Sequence, residues 1–203
     1  YNENNPYVDA FLKWWPELSQ KLMEIRITGG EPSQSRNFWQ FMDTMKQYPS
    51  PNLRLAVNSN LGLNETTVNR LISISHELDI KEFDLYTSCE AYGAQAEYIR
   101  NGLVYNQWYD NVNKILEKCP KVNITFMVTY NALSVPKYGE FIKSVYDLKS
   151  TYTSSDRYWP GAVLLDTSYL RFPLHQAVKV LPNTWSTEVL KQAQLADHLA
   201  TPV

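Results

Sequence analysis

Two cysteines, three histidines and seven glycines are a small stock of the residue types that build metal centres and phosphate-cradling loops in a chain of 203 residues. Cys89 and Cys119 stand far apart, without a CxxC or a mixed Cys/His ligand spacing, so this chain cannot by itself form a four-thiolate site. Two buried free thiols are expected, a disulfide between them being the alternative. His76, His175 and His198 fall at no ligand spacing. An excess of basic charge is also lacking: the net charge is -2 and the pI near 6.0, which leaves nucleic-acid binding unsupported for want of a positive field. No apolar run approaches the roughly 20 residues of a membrane helix. No charged n-region followed by an apolar h-region opens the chain. No membrane partner is expected, and a cytoplasmic location follows.

What is present is ordinary globular material, 44% hydrophobic and 20% charged, with six tryptophans to pack. The length suits one domain. Short strands alternate with helical stretches, the pattern of α/β units with parallel strands. Helical spacing is expected from about Tyr7 to Leu22, with Trp14 and Trp15 packing and Pro16 breaking or restarting the helix. "MEIRIT" reads as a strand and "SQSRNFWQFMDTMKQYP" as a helix with Phe38, Phe41, Met42 and Met45 on one face. "NLRLAVNSN" is the next strand, followed by a helix capped by Asn64. "KEFDLYTSCE" is a third strand, and a helical zone from Ala94 to Glu117 is interrupted at Gly102. "KVNITFMVTYN", the helix "KYGEFIKSVYDLK" and "GAVLLDTSYLRF" follow. Ser150 to Gly161 reads as a loop, and "TEVLKQAQLADHLA" as a last helix.

Parallel strands buried on both faces are near-uniformly apolar, yet four strands here keep one polar face. Glu24, Arg26 and Thr28 alternate with Ile25 and Ile27; Arg54, Asn58 and Asn60 with Leu53, Leu55 and Val57. Asp84, Tyr86, Ser88 and Glu90 oppose Phe83, Leu85 and Thr87, and Asn123, Thr125, Thr129 and Asn131 oppose Ile124, Phe126 and Val128. A solvent-facing edge accounts for one such strand, not four. An open or partial (β/α) barrel with a polar, ligand-holding interior is expected, with a doubly wound open sheet as the structural competitor. The polar residues crowd towards the strand C-termini, where both architectures place their sites.

The stretch "ITGGEP" ends the first visible strand. Gly29 and Gly30 let the backbone turn sharply and approach a ligand without a Cβ, Glu31 offers a negative charge to an ammonium group, and Pro32 stiffens the turn. It is no phosphate cradle, having neither GxGxxG nor GKS/GKT. A tight turn with a solvated glutamate is the alternative. "ITGGEP", "VNSN", "SCE" and "EYIRNG", in this order, resemble the radical S-adenosylmethionine superfamily, and "QAVKVLP" looks like its twitch-type branch. The resemblance covers about Tyr7 to Pro182.

The resemblance implies a partial (β/α)6 barrel in which S-adenosylmethionine meets a 4Fe-4S cluster and is reductively cleaved to a 5′-deoxyadenosyl radical. An external electron donor would feed it, and a peptide, nucleoside or small molecule would be modified. It implies that Gly29, Gly30, Glu31 and Pro32 bind the methionyl amino group. Asn58, Asn60, Ser88 and Glu90 would bond ribose or the methionyl end, and Arg100 would pair with the carboxylate, a contact suited to its fork. Thr129 and Asn131 are further candidates, and Asp166, Ser168 and Arg171 on the last strand are candidates to face the substrate. The family's CxxxCxxC loop, whose three thiolates bind three irons, is not found in this sequence. A first strand and cluster loop upstream of Tyr1 are therefore expected, with residues 1–173 forming the core, 174–203 an extension or the start of a truncated auxiliary region, and the piece inactive alone. Two other readings compete: a noncatalytic nucleotide- or partner-binding module, and a barrel glycoside hydrolase pairing Glu31 with Glu90 or Asp166.

Overall fold

A computed structural model describes residues 5–153 and 162–200. Asn5 caps the first helix, α1 (Pro6–Leu18), by accepting from the Tyr7 amide at 3.0 Å. The helix runs through Pro16 and ends two residues later, not at Leu22, and Pro16 does not break it as expected. The missing N–H forfeits one i→i−4 bond, a local loss that the helix bears two residues before its end. Of the two neighbouring tryptophans only Trp15 packs: it is fully buried with its ring edge-on to Phe41, whereas Trp14 is exposed.

The chain then alternates without exception. β1 (Glu24–Ile27) leads through a 3-10 turn to α2 (Arg36–Gln47); β2 (Ser50–Asn58) to α3 (Glu65–Glu77); and β3 (Ile80–Ser88) to α4 (Ala94–Ile99) and α5 (Tyr105–Lys118). β4 (Val122–Tyr130) leads to α6 (Val135–Tyr152), and β5 (Val163–Tyr169) through three short 3-10 turns to α7 (Ser186–Ala200). Asn64 caps α3 as expected, and Gly102, at φ +85°, separates α4 from α5. The loop expected from Ser150 starts later. Thr151 and Thr153 hydroxyls fold back on the carbonyls of Asp147 and Lys149, prolonging α6 to Tyr152. Residues 154–161 of that loop lie outside the described residues.

All five strands are parallel and lie in the order β1-β2-β3-β4-β5. A doubly wound sheet reverses its strand order at a switch point. This one never reverses, so it follows the barrel course, as expected. Register then decides which residues share a face. Ile27, Val57, Leu85, Ile124 and Val163 line up across the sheet and are covered by the helices, in one core with Trp108, Phe126 and Phe141. Tail helix α7 is tied to this body through buried Gln192, which donates to the Val135 carbonyl at 2.7 Å and accepts from the Tyr130 hydroxyl at 2.7 Å.

The opposite face carries the polar rows. Arg26, Ala56, Asp84 and Asn123 are register neighbours, then Asn58, Tyr86, Thr125 and Leu164, then Ser88, Met127 and Asp166. Ala56, Met127 and Leu164 interrupt the polarity expected of it. At the strand N-termini, Arg54 meets three carboxylates: Asp84 in direct hydrogen bond, Glu82 at 3.5 Å and Glu24 at 3.6 Å. Asn123 Nδ2 donates to Glu82 and Asp84, both at 3.1 Å. Arg26 lies over the Tyr86 ring, 4.7 Å from its centre.

Burial, then the neighbouring Asp84, pushes the Glu82 carboxyl up, against the pull of Arg54, Lys81 and Asn123. A carboxyl raised in the folded state favours folding most when protonated. Its contribution is full below the unfolded value of 4.5 and is lost as pH rises through the folded one. Glu82→Gln should therefore raise the melting temperature at pH 7 and leave it unchanged near pH 4. A melting series over that range checks this, and an equal shift at both ends would point to packing instead.

Candidate functional site

The C-terminal strand ends bring the sequence candidates to one end of the sheet. After β1 the chain enters Gly29 at φ +135°, a conformation that side-chain-bearing residues rarely adopt, and a Cβ at Gly29 or Gly30 would meet nothing within 4 Å. The turn stands open, so both glycines leave their peptide groups accessible. Glu31 is half-buried and engaged by protein donors. One carboxylate oxygen accepts from the Ser33 amide (3.2 Å) and hydroxyl (2.7 Å), the other from the Asn60 amide (2.7 Å), and the Ser59 hydroxyl lies 3.0 Å from both. Pro32 is buried at the start of the 3-10 turn. The carboxylate thus fastens the end of β1 to the end of β2.

Asn58 lies on the polar face beside Tyr86. Its Oδ1 is buried and has no hydrogen-bond partner among the described residues. A buried acceptor left unmade is unfavourable by about 1–3 kcal/mol. Asn60 is exposed, and its Oδ1 is used locally, accepting from the Gly62 amide at 2.9 Å. Ser88 is half-buried at the end of β3. Glu90 is buried and takes both arms of Arg100, Nε to one oxygen at 2.7 Å and a terminal nitrogen to the other at 2.6 Å. Arg100, at the C-cap of α4, is therefore already forked onto a protein carboxylate. Thr129 is exposed at the end of β4; Asn131 is buried, donating to the Thr129 carbonyl and accepting from the Leu133 amide. Asp166 and Ser168 are exposed on β5, and Arg171 lies over Tyr169.

These contacts bear on the hydrolase reading. Glu31 and Glu90 are each tied to protein donors on both oxygens, Glu90 to Arg100 and Glu31 to Ser33, Ser59 and Asn60, and are not paired with one another. Asp166 alone does not make the required pair.

Two functional residues escape the sequence pattern. Ser59 falls on the helix-facing side of its strand by alternation, yet it bonds Glu31. Asn111 sits among Trp108, Val112 and Ile115 on the buried side of α5 and donates to the carbonyls of Leu61 (2.9 Å) and Leu63 (2.8 Å). A polar residue at a core-facing helix position was the available signal for it.

The cysteines do not suit an iron–sulfur cluster. Neither is in a disulfide and both are buried, as expected. Cys89 faces the Ala91 carbonyl at 3.3 Å, and burial pushes its thiol up to about 12; Cys119 accepts from the Ser75 hydroxyl at 3.2 Å. Cluster ligation needs thiolates, and more than two. Among the described residues no three His, Cys, Asp or Glu side chains are placed to hold a metal ion, and no helix is long and apolar enough to cross a membrane. An apolar cleft of about 450 Å³ lies elsewhere, between α6, β5 and α7.

No protein-family model matches the chain, and no curated protein does. In fold it is similar to SuiB of Streptococcus suis, with a TM-score of 0.53 and 13% identity over 77% of this chain and 43% of SuiB. It is also similar to a domain of pyruvate-formate lyase-activating enzyme from Bacteroides vulgatus, with a TM-score of 0.53 and 10% identity over 86% of this chain and 93% of that domain. The chain thus spans less than half of SuiB and nearly all of the second structure. The likeness establishes a shared fold, the partial (β/α) barrel.

Proposed function

We propose that the open strand ends bind S-adenosylmethionine and that the chain is the core of a radical S-adenosylmethionine enzyme. The shared fold with a domain of an activating enzyme supports this, as does the ordered "ITGGEP", "VNSN" and "SCE" set at the strand ends. The observation that carries it is the buried, partnerless Oδ1 of Asn58, an acceptor waiting for a donor on the polar face. A ribose hydroxyl or an amino group supplies one. Gly29 and Gly30 let the methionyl end approach, Glu31 attracts its ammonium, and Ser88 offers a hydroxyl. Arg100 contributes positive charge for the carboxylate through the one terminal nitrogen that Glu90 does not take. Thr129 and Asn60 complete the rim.

When reductively cleaved, S-adenosylmethionine supplies a 5′-deoxyadenosyl radical. Cys89 and Cys119 do not fit the cluster that cleavage needs, so the part assigned to these residues is binding and orientation. Cleavage, an electron donor and the modified substrate belong to a protein that has three further thiolates. The same buried thiols favour, as a second reading, a binding module without catalysis.

Calorimetric titration of S-adenosylmethionine tests the proposal. The wild-type chain should bind saturably. Asn58→Leu should weaken binding about ten-fold or more while melting no lower than wild type, because it removes an unsatisfied acceptor. Failure of the wild type to bind, or a leucine variant that binds equally well, sinks the assignment.

A further inference from the structure

We infer that Ser59 is a positioning residue, which holds the Glu31 carboxylate in the orientation that receives a ligand ammonium. The inference rests on the binding function proposed above. Glu31 stands on a turn that two glycines leave free of side-chain packing, so something else must fix its carboxylate. Ser33 is only two residues away and moves with the same turn. Ser59 and Asn60 come from the end of β2, a different strand.

Ser59 is itself tightly set. Its amide donates to the Tyr86 carbonyl at 2.9 Å, continuing the β2–β3 ladder past the strand end. Its hydroxyl accepts from the Leu61 amide at 3.1 Å. With that lone pair in use, the single hydroxyl proton is directed to the carboxylate, where both oxygens lie 3.0 Å away. Leu61 holds φ at +52°, a left-handed conformation unusual for a branched side chain, and its side chain is fully buried. Asn111 of α5 secures that conformation through the carbonyls of Leu61 and Leu63, and Asn60 Oδ1 through the Gly62 amide. A connected path therefore runs from α5 through the Leu61 turn and Ser59 to Glu31. The donors come from Glu31's own turn and from the end of β2, and Glu31 is only half-buried, so it remains open in part to a cation.

Two probes separate positioning from general support. S-adenosylhomocysteine carries the amino-acid end and is unreactive; adenosine lacks that end. Ser59→Ala should raise the Kd for S-adenosylhomocysteine about ten-fold, as loss of a hydrogen bond to a charged group implies, and change that for adenosine less than about two-fold. Ser59→Thr should restore the first value. Ser59→Cys, similar in shape with a weaker donor, should fall between, and decides the matter if the alanine variant does not fold. Equal weakening of both probes, or no change in either, overturns the role of Ser59 while leaving the binding site standing. A wild-type chain that binds neither probe removes both.

Discussion

Glu31→Ala is expected to lower affinity for S-adenosylmethionine about a hundred-fold and to reduce stability as well. Calorimetry reads the first effect and urea unfolding the second. The substitution removes the acceptor for the Ser33 amide and hydroxyl, the Ser59 hydroxyl and the Asn60 amide together. Ser33 and Ser59 are buried, so their donors would be left without water, at a cost of about 1–3 kcal/mol. The loss of affinity comes from two sources: the charge that attracts the ammonium, and the fastening that keeps the two strand ends in register with each other. Glu31→Gln separates them. An amide offers one carbonyl and carries no charge, but its NH2 must face either the Ser33 or the Asn60 amide, so part of the fastening is lost. Its stability should lie between wild type and Glu31→Ala while its affinity stays low. If Glu31→Gln binds as tightly as wild type, the carboxylate is a structural tie and the ammonium is received elsewhere.

The sequence carried most of the sheet because period-two alternation is a local signal. One face packs on helices in every strand, and the expected strands all occur within three residues of their observed limits. Local chemistry likewise made the Asn64 cap and the Gly102 break readable. Features set by distant partners were hidden. Trp14 and Trp15 are equivalent as residue types, and only the position of Phe41 on α2 decides which one is buried. Arg100 and Glu90 each suited a ligand contact until the turn into α4 put them together. The sequence neighbours of Glu31 suggest a charge role, but two of the residues that orient it, Ser59 and Asn60, lie at the far-off end of β2. The end of α6 was obscured because serine and threonine favour loops when their hydroxyls compete with the backbone, whereas here Thr151 and Thr153 bond back along the helix.

Arg54→Met should lower stability by about 3 kcal/mol at pH 7, measured by urea unfolding. Arg54 is the cation in contact with Asp84, Glu82 and Glu24, and the first two are almost wholly buried on the sheet's polar face. Removing one partner of a buried pair leaves an uncompensated charge, typically worth about 3–5 kcal/mol. The lower end applies because Arg54 itself is 37% exposed and water already screens part of the interaction. Methionine keeps the apolar stem, so packing changes little and the loss reports charge. Arg54→Lys restores the charge but not the reach of a planar fork to several acceptors, and should recover only part of it. Acid provides the discriminating measurement. Burial already pushes Glu82 up, and without the arginine only Lys81 and Asn123 oppose that rise, so protonation relieves the variant more than the wild type as pH falls. The difference between the two proteins should shrink steadily from pH 7 to pH 4. A difference that stays constant over that range would assign the role of Arg54 to its stem, and the carboxylates would then be balanced by Asn123, Lys81 and Arg26.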